Sequence, residues 1–330
     1  MNPDVLKAMK LVRELEKLTK DNPSATALLK QKKKELEALT ATVSKEVQKK
    51  IIDLAQVVAP NLAAAPAVEK ANALMEVDAF KAETVTSKYD NISQTELISD
   101  LTARINDPEK IDQTSLNLCG PAAYCVLWAK HDPEGYAKAA LELYKKGSYT
   151  YNGKTITANP ETFDQTPISG MSKVDWMMLA AIRHSENAFY DYDPKNDRGK
   201  AAFTTHWEMT AWISNIVGIG ENRDSSPTIE SVNSAINSGK TVVLLVDWGQ
   251  ISKDIAKKGK EGSKKSGKPD SLINSWTGNH YIIMTKAITI NGDEITFEIW
   301  TWASRRSITL QKKYFAIAAK DAFIVEDHER

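Results

Sequence analysis

Cys119 opens the apolar run Cys119-Gly120-Pro121-Ala122-Ala123, and Gln113 lies six residues before it. A thiol at the head of a helix faces unpaired N–H groups and the positive end of the macrodipole, and both favour thiolate over thiol. The same N–H groups, joined by a side-chain amide such as that of Gln113, can donate to the oxygen that turns negative when a carbonyl is attacked. Gly120 lets backbone and substrate approach closely. Pro121 suits the first helical turn, where its missing N–H would be unpaired anyway. The spacing therefore predicts a nucleophile, Cys119, with an oxyanion hole that includes Gln113. The bland alternative is a buried structural cysteine, since free Cys is among the most buried residue types. That reading is assigned to Cys125, which lies inside the apolar helical run.

A nucleophilic thiol needs a neutral imidazole within hydrogen-bonding reach to take its proton and later return it to the leaving group. Five histidines compete for that role. His131 and His328 sit in charged surroundings, His184 ends a helical run, and His206 lies in Thr204-Thr205-His206-Trp207. Only His280 opens a β-rich run after a glycine, in Gly278-Asn279-His280-Tyr281-Ile282-Ile283-Met284. No metal site is expected, because neither Cys has the two-residue partner spacing of zinc ligands and the histidines are scattered. No cofactor is expected either: Gly239-Lys240-Thr241 lacks the upstream glycine of a phosphate loop, and Gly218-Ile219-Gly220 is as weak.

In the six-residue step from Gln113 to Cys119 and in its CGPAA segment, the chain resembles the papain-like cysteine peptidases. It is particularly similar to the bacterial branch that includes peptidases processing bacteriocin leaders. The resemblance runs from about Gln113 to Leu310. It implies an α+β fold with a helical half carrying the nucleophile and an antiparallel sheet half, a base at His280, and Gln113 in the oxyanion hole. The third member departs from the family, which places Asn or Asp on the next strand, followed by a segment like NSWG. Here the chain reads Trp300-Thr301-Trp302-Ala303. If Trp302 matches the family tryptophan that covers the orienting hydrogen bond, Trp300 stands where Asn is expected, and an indole cannot accept from the imidazole. A turn centred on Asn291-Gly292 sets His280 opposite Ala303 or Ser304, with Glu298 too near the turn to help. The expectation is a Cys119–His280 dyad, with Trp302 as a cover. Its orienter is left open between a backbone carbonyl, a hydroxyl such as that of Ser304, and an unlocated acid.

The elements that must position these residues follow from periodicity. Leu36, Leu39, Val43, Val47, Ile51 and Leu54 repeat at helical steps, and a further helix is expected over 67–82, so residues 1–90 read as an N-terminal helical bundle or hairpin. Polar, turn-prone residues between Glu83 and Gln94 suggest the domain boundary, with a catalytic domain over 91–330. Helices are expected over 118–130, 136–145, 174–183 and 232–237, and a buried strand over 241–247. A hairpin joins 280–289 to 294–302, and further strands are expected at 306–310 and 314–318. The Lys-, Gly- and Ser-rich stretch 253–268 reads as a solvated loop that could cover the cleft.

At 330 residues the chain is long enough for one sizeable domain with an appendage. Lys plus Arg number 43 and Asp plus Glu 43, which leaves no basic field to draw nucleic acid or anionic lipid. No apolar run is long enough for a membrane span. Two cysteines exclude a disulfide framework and fit a reducing cytosol. Residues 1–20 alternate apolar and charged types, unlike a signal peptide. The chain is therefore expected in the cytoplasm, or delivered into a target cell by a signal-peptide-independent machine such as type VI secretion. A toxin or antibacterial effector that cleaves a protein or peptide substrate fits this setting. An immunity or inhibitor protein would be its partner, and a chaperone or carrier would hold the N-terminal helices. Two other classes stay open. One is a transglutaminase, deamidase or peptidoglycan amidase using the same thioester. The other is a binding protein on a decayed peptidase scaffold.

Overall fold

A computed structural model of the chain describes residues 66–167, 170–186, 192, 203–252 and 280–327. The helices expected before residue 66, the 253–268 loop, Trp276 and Gly278-Asn279 lie outside the described residues. The architecture is mixed α+β, with helices preceding an antiparallel sheet.

Among the described residues, the first half contains the α-helices α1 (Pro66–Lys81), α2 (Gln94–Asn106), α3 (Cys119–His131), α4 (Pro133–Lys146), α5 (Lys173–Ser185) and α6 (His206–Asn215). Their starts are written in the sequence. Ser93 and Glu96 form a capping box on α2, Thr205 and Glu208 do so on α6, and Asp132 caps α4 ahead of Pro133. α3 differs in having Leu118 at its N-cap and no side-chain cap. Forgoing a polar cap costs about 1 kcal/mol, and it leaves the first-turn N–H groups to the residues at the helix head. Every residue from Gly120 to Ala129 is buried, as befits a helix packed on all sides.

α1 packs along α4, and its Ala73, Val77 and Phe80 belong to the same core as α3 and α5. The boundary expected between Glu83 and Gln94 therefore separates no two cores among the described residues. Between α4 and α5 lies a small hairpin, β1 (Ser148–Tyr151) and β2 (Lys154–Thr157). It turns through Asn152 and Gly153, both at positive φ, a strong turn pair that the sequence reading passed over.

The main sheet contains β3 (Ile219–Asp224), β4 (Thr241–Val246), β5 (His280–Met284), β6 (Thr289–Asn291), β7 (Glu294–Thr301), β8 (Ser304–Gln311) and β9 (Ala319–Asp327). Its order is β3-β9-β4-β5-β7, with β6 also on β7 and β8 along β7's other edge. Two helices, α7 (Ile229–Asn237) and α8 (Lys312–Ala318), complete this half. The apolar run of β4 is buried on both faces. Val243 and Leu245 join the core under the helices, while Val242, Leu244 and Val246 join a second core with Val232 of α7 and Phe315 of α8.

Two expectations need correction. Residues 314–318 are helix, not strand: burial of Phe315 and Ala318 follows a three-residue step after β8 ends. The β6–β7 loop centres on Gly292-Asp293, one residue later than expected, because Asn291 pairs with Glu294 and Gly292 supplies the positive φ. The pairing Ile283↔Trp300 keeps the register that the expected turn would set, because the irregular stretch between β5 and β6 offsets the shift, but the ladder stops at Ile283 and His280 meets Thr301, not Ala303 or Ser304.

Candidate active site

β5 and β7 pair only at Ile283↔Trp300 and Met284↔Ile299, so the strands part beyond those residues and leave a fork at the end of the sheet. The head of α3 meets this fork. The N–H of Tyr281, free of any pairing with β7, faces the Cys119 sulfur, as do the N–H groups of Gly120 and of Cys119 itself. Those donors act to stabilise thiolate, as the helix-head position predicts. Burial outweighs them, however, and the thiol is raised above its ordinary value. The helix head thus supplies the donors without making a resting thiolate.

His280 begins β5, one residue before the N–H that faces the sulfur, and it is buried. Its Nε2 lies 2.6 Å from the Thr301 hydroxyl, a bond that spans the fork from β5 to β7. The Trp302 ring stacks on the imidazole at 4.1 Å and 16°, with Trp248 edge-on at 5.2 Å. Arg306 lies over Trp302, 5.1 Å from the ring centroid. Burial, helped by the Arg306 charge, pushes the imidazole down to about 3, so His280 is neutral.

The Trp302 ring therefore lies flat over the imidazole, and the hydroxyl within hydrogen-bonding distance of His280 is that of Thr301. The Ser304 hydroxyl, offered from sequence as an orienter, instead donates to the Thr301 carbonyl at 3.0 Å. Trp300 points away: its indole N–H donates to the Glu109 carbonyl at 2.8 Å. The reason is a tight turn. Thr301 pairs with Ser304, leaving Trp302 and Ala303 as the two central residues of a hairpin, at φ 46° and 50°. Both central residues of such a loop need positive φ, which Asn-Gly pairs usually supply. Trp302-Ala303 carries no such signal, so Thr301 reads as the interior of a strand running on through Trp302.

Gln113 is buried in the segment leading into α3, where its carbonyl accepts from the Leu116 N–H at 3.0 Å. That segment is pinned from below. Buried Asp175 accepts from Arg104 Nη2 at 2.8 Å, from Arg104 Nε at 3.1 Å and from the Asp112 N–H at 3.0 Å. The Asp112 carboxylate in turn receives the Thr114 N–H at 2.8 Å, at a residue held at φ 50°. A second tie crosses to the sheet half, where Arg305 meets the Glu109 carboxylate through Nε at 2.7 Å and Nη2 at 2.6 Å. Cys125 is fully buried in the core, as its place in an apolar helix predicts.

No family model, curated protein or solved structure matches the chain. Its functional assignment rests on the geometry of the fork.

Proposed function

We propose that the protein is a cysteine peptidase of papain-like type, with Cys119 as nucleophile and His280 as base. The observation that carries this is the meeting of the α3 head with the β5–β7 fork, where the sulfur faces the N–H of Tyr281, the neighbour of His280. With Nε2 engaged by Thr301, Nδ1 is the imidazole nitrogen left for the thiol proton. A raised thiol and a neutral imidazole make an uncharged resting pair. Attack and proton transfer then proceed together: sulfur bonds the carbonyl carbon as its proton passes to His280. The proton next goes to the leaving amine, and water releases the thioester. The N–H groups of Cys119 and Gly120, with the Gln113 amide, stabilise the oxyanion.

The substrate in this proposal is a protein, and the setting is that of a bacterial toxin or effector delivered into a target cell, opposed by an immunity protein. Support for delivery is the similarity of the CGPAA segment to bacteriocin-processing peptidases and the N-terminal sequence pattern, in which Leu36, Leu39, Val43, Val47, Ile51 and Leu54 recur among charged residues. The test expresses wild-type and Cys119→Ala chains in bacterial cells, with growth measured and new protein termini mapped across the proteome. Arrest and new termini with the wild type alone are expected. Equal toxicity of the two chains defeats the proposal. Glutamine side chains that gain an amine or lose ammonia, without new termini, shift it to acyl transfer or deamidation. The burial of His280 also suits a decayed scaffold with a binding role, for which neither chain would alter the proteome.

A further inference from the structure

We propose that Thr204, held by the buried Arg183, is the positioning residue that sets the spacing between the nucleophile's helix head and the strand of the base. The inference rests on the assignment of Cys119 and His280 above and adds a part of the site that none of the motif residues supplies. Thr204 is buried just before α6 and touches three elements. Its side chain lies against the Cα of Gly120, so closely that a Cβ added there would fall 2.2 Å from Thr204 Oγ1 and 2.4 Å from its Cβ. Its carbonyl accepts from the Tyr281 hydroxyl at 3.1 Å. Its own hydroxyl accepts from Arg183 Nη1 at 3.1 Å. Gly120 and Tyr281 are two of the residues whose N–H groups face the sulfur. One threonine thus braces both the head of α3 and strand β5.

Arg183 is fully buried, with Nη1 also on the Phe203 carbonyl at 3.2 Å and Nη2 on Glu208 Oε1 at 2.5 Å. Glu208 closes the ring by accepting the Thr205 N–H at 2.6 Å. An apolar side chain of similar volume would avoid the desolvation cost of this ion pair. What the guanidinium adds is direction: three acceptors fix the 203–208 segment, and Thr204 with it, against Gly120. The glycine is needed because any side chain would displace Thr204.

The test follows the second-order rate of Cys119 alkylation by iodoacetamide across pH in the full chain, read by peptide mass mapping so that Cys125 is scored separately. Thr204→Val keeps the shape and removes the hydroxyl. Loss of a hydrogen bond to a charged group predicts a fall of about tenfold in the Cys119 rate, with a displaced pH profile. Thr204→Ser restores the hydroxyl and is expected within about threefold of wild type. An unchanged rate and profile in Thr204→Val overturns the proposal, whatever happens to the melting temperature. Equal losses in Val and Ser variants also overturn it, because they assign Thr204 to packing alone. If Thr204→Val does not fold, Glu208→Gln loosens Arg183 from the other end, and no change in its Cys119 rate is again fatal. Alkylation needs no turnover, so the peptidase assignment can fail separately: it fails if His280→Ala leaves both Cys119 reactivity and the effect on cells at wild-type values.

Discussion

A threonine hydroxyl across from a histidine differs from the amide or carboxylate more often found there, because it can donate as well as accept. Thr301 therefore holds the ring in place without dictating which nitrogen of His280 carries the proton, and it lends no negative charge to an imidazolium. A neutral hydrogen bond contributes roughly 0.5–1.5 kcal/mol. Thr301→Val is accordingly expected to lower the hydrolytic rate by about threefold to tenfold while leaving substrate affinity alone, as steady-state kinetics on a mapped substrate would read. A loss of a thousandfold would mean that Thr301 does more than orient. Burial of the ring also leaves a mark on stability. The folded-state pKa of His280 is about 3 against an ordinary 6.5, so between those values the unfolded chain takes the proton first and stability falls as pH falls. Asp175 runs the other way: burial lifts it from 3.8 to about 6, so in that window the folded protein takes the proton first and stability rises as pH falls. His280→Gln removes only the first effect. Its loss of stability from pH 7 to pH 5, measured by urea unfolding, should be smaller than that of the wild type by about 2 kcal/mol. A wild-type-like slope would show that the imidazole is not held neutral.

At the scale of elements, the turn that ends β7 explains both what the sequence disclosed and what it hid. Cys119 at a helix head and His280 at a strand start were legible because a proline in a first helical turn and a glycine-led β-run are local patterns. Thr301 was hidden because Trp302 and Ala303 adopt positive φ without being Gly, Asn or Asp, a choice that local turn chemistry disfavours. Each such residue costs on the order of 1–2 kcal/mol, and the return is a Trp302 ring laid flat on the imidazole. Helices α2 and α6 were passed over although the sequence carries both signals: each has a capping box, and the buried Leu97, Leu101 and Ile105 of α2 and Met209, Trp212 and Ile213 of α6 repeat at helical steps. Ala303→Gly should relieve the strain at one of the two positions without moving Trp302. A gain of about 1 kcal/mol, or ~2–4 °C in melting temperature, is expected with unchanged hydrolysis. A destabilised Gly variant would show that the turn is not strained at this residue.

At the scale of the molecule, the two halves are joined by a core that runs from α1 through α3 to Tyr281, Ile283 and Trp300 of the sheet and by one exposed ion pair, while a second, buried pair ties α2 to α5 within the helical half. The Arg305–Glu109 pair ties the hairpin beside His280 to the segment before Gln113, yet its side chains are 54% and 34% exposed. Solvent screens such a pair, and Arg305→Met should change stability by less than about 1 kcal/mol. The Arg104–Asp175 pair is of the other kind, with 11% and 0% exposure, and Asp175 also carries the Asp112 N–H at the base of the Gln113 segment. Removing one member of a buried pair strands the other, so Arg104→Met should cost roughly 3–5 kcal/mol. Asp175→Asn keeps the shape but weakens the same bonds, and it gives a folded protein in which the Gln113 segment is less firmly held. In that variant the hydrolytic rate should fall more than Cys119 alkylation does, because in the proposed mechanism the segment carries the oxyanion amide and not the sulfur. Equal falls in both rates would mean that Asp175 supports the helix head as a whole, and that Gln113 has no separate part in holding the oxyanion.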